Sequence, residues 1–590
     1  MGACWKHRSV ALQAAGESAC NRHINRLSSI LSHICTLFAY ANKVPFDLLQ
    51  RLPSMHPKAY ELDASATSIG SHHMILDVVK QPFVAIPDCI ALKARQNPHH
   101  PAVIANDRAI DYGALHNLID RVAASLQRDG LLAGDAVAIC AASSIEYLAV
   151  FLGALRAGLT VVPLAPSLKA AELTAMIADA DARLVFADQT VLEAFQTISA
   201  ATPFKCVGLD GTGSSPLLLW LLPEGSRPKP VTIAPESGFN IIYSSGTTGQ
   251  PKGIVQSHLM RWGHVQRAAS NYGTDAITLL ATPLYSNTTL ASLFPTIALG
   301  GTVVLMAKFD VAQYLALAER HRVSHTMLVP VQYQRIMTHP EFDRFDLSAF
   351  RMKYCTSAPF SPALKADILK RWPGGLVELY GMTEGGGTCI LTAHEHPHKL
   401  HTVGRPAPGT DMRVIDENGS QLPAIGTGEV VGHSTTMMSG YHNNPARTAE
   451  AEWYDPSGKR FIRTGDIGRF DEEGFLILLD RKKDLIISGG FNIYPSDLEA
   501  ALRQHDDVAD VAIVGVPSER WGETPLAFIV PHPGCSTTAE AFLDWANTRL
   551  GKTQRLAGVE IVDVLPRSPI GKVLKRELRE RFCRPTQHKA

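Results

Sequence analysis

The chain has 590 residues, 45% hydrophobic and 19% charged, so it can bury a large core and should divide into more than one domain. Its 56 Lys and Arg balance 56 Asp and Glu, which removes the global field that would draw nucleic acid or an anionic membrane and argues against a nucleic-acid partner. Ten cysteines without a C-x-x-C pair argue against a zinc site or disulfide framework and for reduced thiols in a cytoplasmic setting; the composition leaves a homo-oligomer open.

Residues 1–73 are rich in Ser, His and Ala, poor in acids and without a clear hydrophobic period. Lys6, Arg8, Arg22 and Arg26 resemble the basic residues of an organelle-targeting peptide, but Glu17 intrudes and no amphipathic face is clean. A poorly ordered extension is the competing reading, with Met74 as an alternative start. The longest apolar runs, 217–222 and the mixed stretch 30–41, fall short of the roughly 18 residues of a spanning helix, so no transmembrane segment is expected.

From about Met74 the pattern becomes α/β. Residues 136–140 form a short apolar strand, and Ser143 or Ser144 caps a helix with Ile145, Leu148, Ala149, Leu152 and Leu155 at apolar positions. Gly158 ends the helix and 159–164 make the next strand, a β-α-β unit that implies a parallel pair. The apolar run 239–243 then leads into Ser244, Ser245, Gly246, Thr247, Thr248, Gly249, Gln250, Pro251, Lys252 and Gly253. Glycines that turn the backbone sharply, four hydroxyls and one lysine make this a phosphate-cradling loop, although its spacing is not that of the pattern G-x-x-x-x-G-K-[ST].

Further on, Gly300 and Gly301 precede a strand at 302–306 and a helix at 311–320. Gly426, Thr427, Gly428 and Gly432 look like a dinucleotide loop, but no helix follows, and the Pro408-Gly409 and Asn418-Gly419 turns indicate a strand meander. A strand at 475–479 runs into Asp480, Arg481, Lys482, Lys483 and Asp484. Beyond that boundary come strands at 511–514, 526–530 and 559–565 and a helix at 538–550 with Phe542, Trp545 and Ala546 on one face, a compact α+β module.

Five more motifs follow the phosphate loop in order: Tyr380-Gly381-Met382-Thr383-Glu384, Arg463-Thr464-Gly465-Asp466, Asp480 to Asp484, Gly490-Phe491-Asn492-Ile493-Tyr494-Pro495, and Pro566-Arg567-Ser568-Pro569-Ile570-Gly571-Lys572. Together the six resemble the motif series of the adenylate-forming superfamily, which includes acyl- and aryl-CoA synthetases, peptide-synthetase adenylation domains and luciferases. The resemblance covers about 74–579. It implies a large AMP- and acyl-binding α/β domain with parallel-containing sheets (74–480), a hinge (481–485) with Lys483 as its pivot, a small mobile α+β lid (486–582) and a tail (583–590).

The implied cofactors are ATP, Mg²⁺ and coenzyme A, the last as co-substrate, and the implied partner is a carboxylic acid. By resemblance Ser244, Thr247, Thr248 and Lys252 hold phosphates, Ser357, Ala358 and Pro359 line the adenine and acyl pockets, Tyr380 stacks on adenine, Asp466 takes the ribose hydroxyls and Arg481 contacts ribose or phosphate. Thr383 touches phosphate, and Glu384 is the metal ligand, a lone carboxylate of the kind Mg²⁺ uses with phosphate and water. Lys572 is the catalytic lysine, a mobile point charge able to reach the substrate carboxylate and the α-phosphate. His258 reads as a helix residue, and nothing beside Cys355 or Cys389 would activate a thiol.

The resemblance also assigns Ser488, Gly489 and Gly490 to the border of a pantetheine tunnel and Tyr285, Ser286, Gly386, Gly387 and Thr388 to the acyl pocket. Residues 283–289 lack the acid that peptide-synthetase domains use for an amino group, and only 18 residues follow Lys572, so no fused carrier domain is expected. Ser286 stands where the family often has His. Gly385 to Gly387 suggest a roomy pocket, and no buried Lys or Arg advertises a second carboxylate, which favours a medium- or long-chain fatty acid or an aryl acid. The function expected is acid–CoA ligation through an acyl adenylate. A stand-alone enzyme loading a carrier protein and a luciferase-like oxidation are the alternatives.

Overall fold

The computed structural model describes residues 78–197, 204–211, 215–244, 252–489, 491–568 and 571–583, with the side chains of Ser244, Thr553 and Cys583 excepted. All belong to one unit, Ile69–Ala590. The N-terminal extension with its targeting reading, Thr247, Thr248 and Gly490 lie outside the described residues. Among the described residues no helix is long and apolar enough to cross a membrane.

The expected β-α-β unit is present. Ser144 caps the helix Ile145–Arg156, its Oγ accepting from the Tyr147 N–H at 3.0 Å, whereas the Ser143 hydroxyl accepts from the Leu284 N–H at 3.1 Å. The neighbouring serines thus divide the work, one starting a helix and the other anchoring the segment before Tyr285. Gly158 leaves the helix at φ +78°, and strands Ala136–Cys140 and Thr160–Pro163 pair in parallel.

These two strands sit inside a seven-stranded sheet with the order Gly440–Tyr441, Lys252–Ser257, Gly238–Ser244, Thr160–Pro163, Ala136–Cys140, Ala182–Ala187, Lys205–Gly208. A nine-stranded sheet contains Thr302–Leu305, Ile277–Leu280, His325–Leu328, Met352–Cys355 and Gly375–Gly381 as parallel neighbours. One core joins the two sheets through helices: Val103 and Val303 from one, Val137, Val161 and Phe239 from the other, and Leu148, Phe151 and Phe294 from helices between. Burial of each such side chain contributes about 1.5–3 kcal/mol. Gly153 lets two of the helices meet, because a Cβ there would lie 2.5 Å from Val122.

A third sheet is antiparallel, built from Thr410–Ile415, Gly428–Ser434, Arg460–Phe470, Glu452–Tyr454 and Leu476–Arg481. It confirms the strand meander around Gly426 and Asn418-Gly419. A fourth holds Phe491–Ile493, Ile486–Ser488, Gly522–Pro531, Val508–Ser518 and Gly558–Ile561, so the change of sheet falls between Arg481 and Ile486. Here the expected strand lengths need correction. Residues 511–514 and 526–530 are only the apolar middles of a long hairpin whose pairing continues through Thr524 and Glu523, and the last strand stops at Ile561, leaving Val564 71% exposed. Backbone pairing does not require apolar side chains, so the hydrophobic run underestimates a hairpin. Helix Ala539–Arg549, capped by Thr538, buries Phe542 and Ala546 against this sheet.

Candidate active site

Three strands and one loop bring four of the expected residues together. Tyr380, in Gly375–Gly381, donates its hydroxyl to Asp466 Oδ2 at 2.8 Å, and Asp466 faces Arg481 across the antiparallel ladder, with Nε to Oδ1 at 3.1 Å. Thr464-Gly465-Asp466 is a triplet common in turns, but here Asp466 sits on a bulge inside strand Arg460–Phe470: Gly465 takes φ +70°, the register shifts, and the Thr464 hydroxyl accepts from the Asp466 N–H at 3.0 Å. A bulge re-aims one side chain without ending the strand.

Lys572 comes to this cluster from the far end of the chain. Gly571, at φ +77°, brings its loop onto the start of helix Pro330–Met337, where an added Cβ would lie 2.6 Å from Val331. The Ser568 hydroxyl accepts from the Lys572 N–H at 3.2 Å. Burial, then Arg481 and Lys483, push the Lys572 ammonium down to about 8, against the pull of Asp466 and Asp484. Lys483 is itself pushed down by burial, and the neighbouring Asp484 is tied to Arg579 of the last helix at 3.2 Å.

A second group gathers around Glu384. The Tyr441 hydroxyl donates to Glu384 Oε1 at 2.9 Å, and Lys252 Nζ lies 5.0 Å from the centre of the same tyrosine ring. Lys252 opens the strand Lys252–Ser257 opposite Ser244, so the hairpin fixes both ends of the phosphate loop. Among the described residues no group of three His, Cys, Asp or Glu could hold a metal ion. One carboxylate beside a lysine fits Mg²⁺, which completes its shell with phosphate and water, and does not fit a resident transition metal.

The sequence reading missed Tyr441, Glu429, Gln256 and Arg261. Glu429 binds Arg463 at 2.6 Å and Lys482 at 3.1 Å, clamping residues on either side of the Asp466–Arg481 pair. Gln256 donates to the Thr383 carbonyl at 2.7 Å. None of these belongs to a motif with its own signature, and no spacing signals them.

The acyl segment departs from expectation in two ways. Gly386 and Gly387 do not widen a pocket: a Cβ on Gly386 would lie 2.5 Å from Ile462, one on Gly387 would lie 2.3 Å from Met412, and Gly432 opposite them meets the Gly386 carbonyl. These glycines permit close approach of the third sheet to the strand Thr388–Thr392 that begins at Thr388. The described residues also bury several cations, one of which, Arg261, reaches this segment. Lys365 pairs with Glu378, Lys353 donates to the carbonyls of Trp372, Pro373 and Gly374, and Arg261 touches Asn287, the first residue of helix Asn287–Ala298. Ser286 is buried at the N-terminus of that helix and Tyr285 is half-buried beside it.

Ser357 holds a left-handed φ of +83°, uncommon outside glycine and found where surrounding structure imposes it. Its hydroxyl is 2.7 Å from that of Thr288, which ties Ser357-Ala358-Pro359 to the acyl segment. On the fourth sheet Gly489 turns at φ +57° under Trp521, and Ile487, Phe491 and Trp521 are exposed around it. His258 begins the helix His258–Ala268, as read from the sequence. Burial pushes the Cys389 thiol up to about 12 and the Cys355 thiol well up, so neither is a thiolate.

Comparison with known proteins agrees with this geometry. Residues 90–442 match the AMP-binding enzyme family and 497–572 match the AMP-binding enzyme C-terminal domain. The chain belongs to the AMP-binding enzyme family, within the adenylate-forming superfamily. It is 31% identical over 501 residues to a fatty acid–[acyl-carrier-protein] ligase of Streptomyces coeruleorubidus, covering 83% of this chain and 95% of that one. It is 32% identical over 499 residues to a feruloyl-CoA synthase of an Amycolatopsis species, covering 83% and 97%. Among solved structures, ATP-bound MatB from Rhodopseudomonas palustris superposes with a TM-score of 0.77 at 28% identity, over 85% of this chain and 99% of that one.

Proposed function

We propose that the protein is an ATP-dependent acid–CoA ligase that converts a medium- or long-chain fatty acid or an aryl acid to its acyl adenylate and then to a thioester. The observation that carries the reading is the docking of the Lys572 loop on the helix Pro330–Met337, within electrostatic reach of the Asp466–Arg481 pair. Activating a carboxylate requires two anions to be brought together and a charged in-line transition state to be stabilised. In this reading Asp466 takes the ribose hydroxyls, with Tyr380 and Arg481 fixing its two oxygens. Ser357, Ala358 and Pro359 border the adenine. Lys252, Ser244, Thr247, Thr248 and Thr383 hold the phosphates, and Glu384, oriented by Tyr441, would hold Mg²⁺, which would supply positive charge beside the phosphates.

Lys572 orients the substrate carboxylate on the α-phosphate, and Tyr285, Ser286 and Thr388 border the acid. For thioester formation the small unit, 486–582, swings about 481–485 so that Ser488, Gly489 and Gly490 replace Lys572 and admit the thiol. Coenzyme A is the acceptor favoured by the relatives named CoA ligases, and a carrier protein is the alternative favoured by the Streptomyces relative. A cytoplasmic location belongs to the same reading.

The test is a pyrophosphate-release screen over acids of graded chain length and ring content, with and without CoA. Acid-dependent pyrophosphate followed by CoA-dependent thioester is expected. Adenylate that forms but transfers only to a carrier protein would select the alternative, and no acid-dependent pyrophosphate would reject both.

A further inference from the structure

Beneath the Thr383–Glu384 turn lies a polar cluster that none of the motifs contains. Arg261, Asn240 and Gln256 are each 0% exposed. Asn240 Oδ1 accepts from Arg261 Nε at 3.1 Å and from Nη2 at 3.0 Å, Asn287 Oδ1 accepts from Nη2 at 2.8 Å, and Gln256 Oε1 accepts from Nη2 as well. Among the described residues no carboxylate bonds the guanidinium, and its Nη1 has no hydrogen-bond partner. The group lies beside the edge-to-face pair of Phe239 and Phe294, 5.8 Å from each ring centre. A buried charge met only by neutral amides does not stabilise a fold as an apolar side chain of that size would, so packing alone does not account for it.

We propose that Arg261 is a positioning residue for the Thr383–Glu384 turn, acting through Gln256. A guanidinium can only donate, so each amide that faces it must turn its oxygen inward. Asn240 does so, and its Nδ2 then donates to Gln256 Oε1 at 3.0 Å, so the Gln256 oxygen is claimed twice. The Gln256 Nε2 is thereby left pointing the other way, where it donates to the Thr383 carbonyl at 2.7 Å. Without the guanidinium nothing forbids the flipped amide, which would set oxygen against the Thr383 carbonyl and push away the turn that carries Glu384. The cluster also ties the two phosphate-loop strands and the start of helix Asn287–Ala298 to that turn, so the loop, the acyl segment and Glu384 share one rigid support.

What the turn holds is taken from the ligase reading above, so the test begins with nucleotide alone. Two variants are used, Arg261→Met and Gln256→Glu. The second keeps a partner for Arg261, so it folds, but replaces the group that reaches Thr383 with an acceptor. MgATP affinity is measured by calorimetry without acid, followed by the KM for ATP, the Mg²⁺ requirement, kcat and the thermal midpoint.

Both variants are expected to weaken MgATP by about tenfold or more, the scale seen when support behind a metal ligand is removed. For Gln256→Glu, which leaves the Arg261 bond to Asn287 in place, the KM for the acid should be unchanged and the midpoint not lowered. A folded Gln256→Glu protein that binds MgATP within about twofold of wild type overturns the proposal. Wild-type protein that fails to bind MgATP overturns the ligase reading, and this proposal with it.

Discussion

Lys572 is held where its charge is unfavourable and where the proposed chemistry needs it. Its ammonium lies at about 8, below the ordinary lysine value of 10.5, mainly through burial. The docked loop therefore binds fewer protons than the undocked one between about 8 and 10.5, and docking itself is favoured as pH rises through that window. The charged form is complete only below about 8, so adenylation should fall as pH climbs past that value, and nucleotide should move the fall upward by supplying negative charge. Lys572→Ala should lose adenylation about 100- to 1,000-fold, the cost of removing one transition-state donor, and should still turn supplied acyl adenylate into thioester. Pyrophosphate release at the wild-type rate would sink the assignment. For the metal, Glu384→Gln keeps an acceptor for Tyr441 but removes the charge, so half-maximal activity should need about tenfold more Mg²⁺; an unchanged titration would remove the role.

At the scale of elements, the run Gly385 to Gly387 is a matter of sheet packing. Gly386 meets Ile462 and the Gly432 carbonyl where any Cβ would stand, so Gly386→Ala must push the third sheet from the strand that follows the metal turn. The expected outcome is a loss of about 1–3 kcal/mol in denaturant unfolding, with the ranking of acids by chain length intact. A stable variant with a narrowed chain-length range would restore the roomy-pocket interpretation. The same element marks the limit of what the sequence discloses. The periods and caps of Ile145–Arg156 and Val311–Arg320 are local, and both helices form where the pattern predicts them. The six motifs are legible because each concentrates glycine, hydroxyl and charge in a few consecutive residues. Tyr441, Glu429 and Gln256 act across gaps of 57, 34 and 127 residues, and a contact such as that from Gln256 to Thr383 leaves no local pattern; Arg261 adds contacts 5, 21 and 26 residues away that no motif marks. Glycine is the hardest to read, since open turns and tight sheet contacts ask for the same residue.

For the whole molecule, the proposed two half-reactions depend on which part of the small unit faces the large one. In the arrangement seen here the Lys572 loop is docked, and the hairpin at Gly489, with Ile487, Phe491 and Trp521 around it, is exposed. Gly571 is the close-contact point of the docked loop, because it holds a left-handed φ of +77° and a Cβ added there would lie 2.6 Å from Val331. Gly571→Ala adds a left-handed penalty of about 1–2 kcal/mol and a clash, so docking should weaken by about tenfold or more. Adenylation should fall by that factor, measured as pyrophosphate release. Conversion of supplied acyl adenylate to thioester should be unchanged or faster, because its arrangement no longer competes with a docked Lys572 loop. The thermal midpoint should move little, since the substituted loop lies outside the cores of both units. Equal loss of both half-reactions would mean that Gly571 serves folding of the small unit instead, and an unchanged adenylation rate would mean that the Lys572 loop reaches the site by another route.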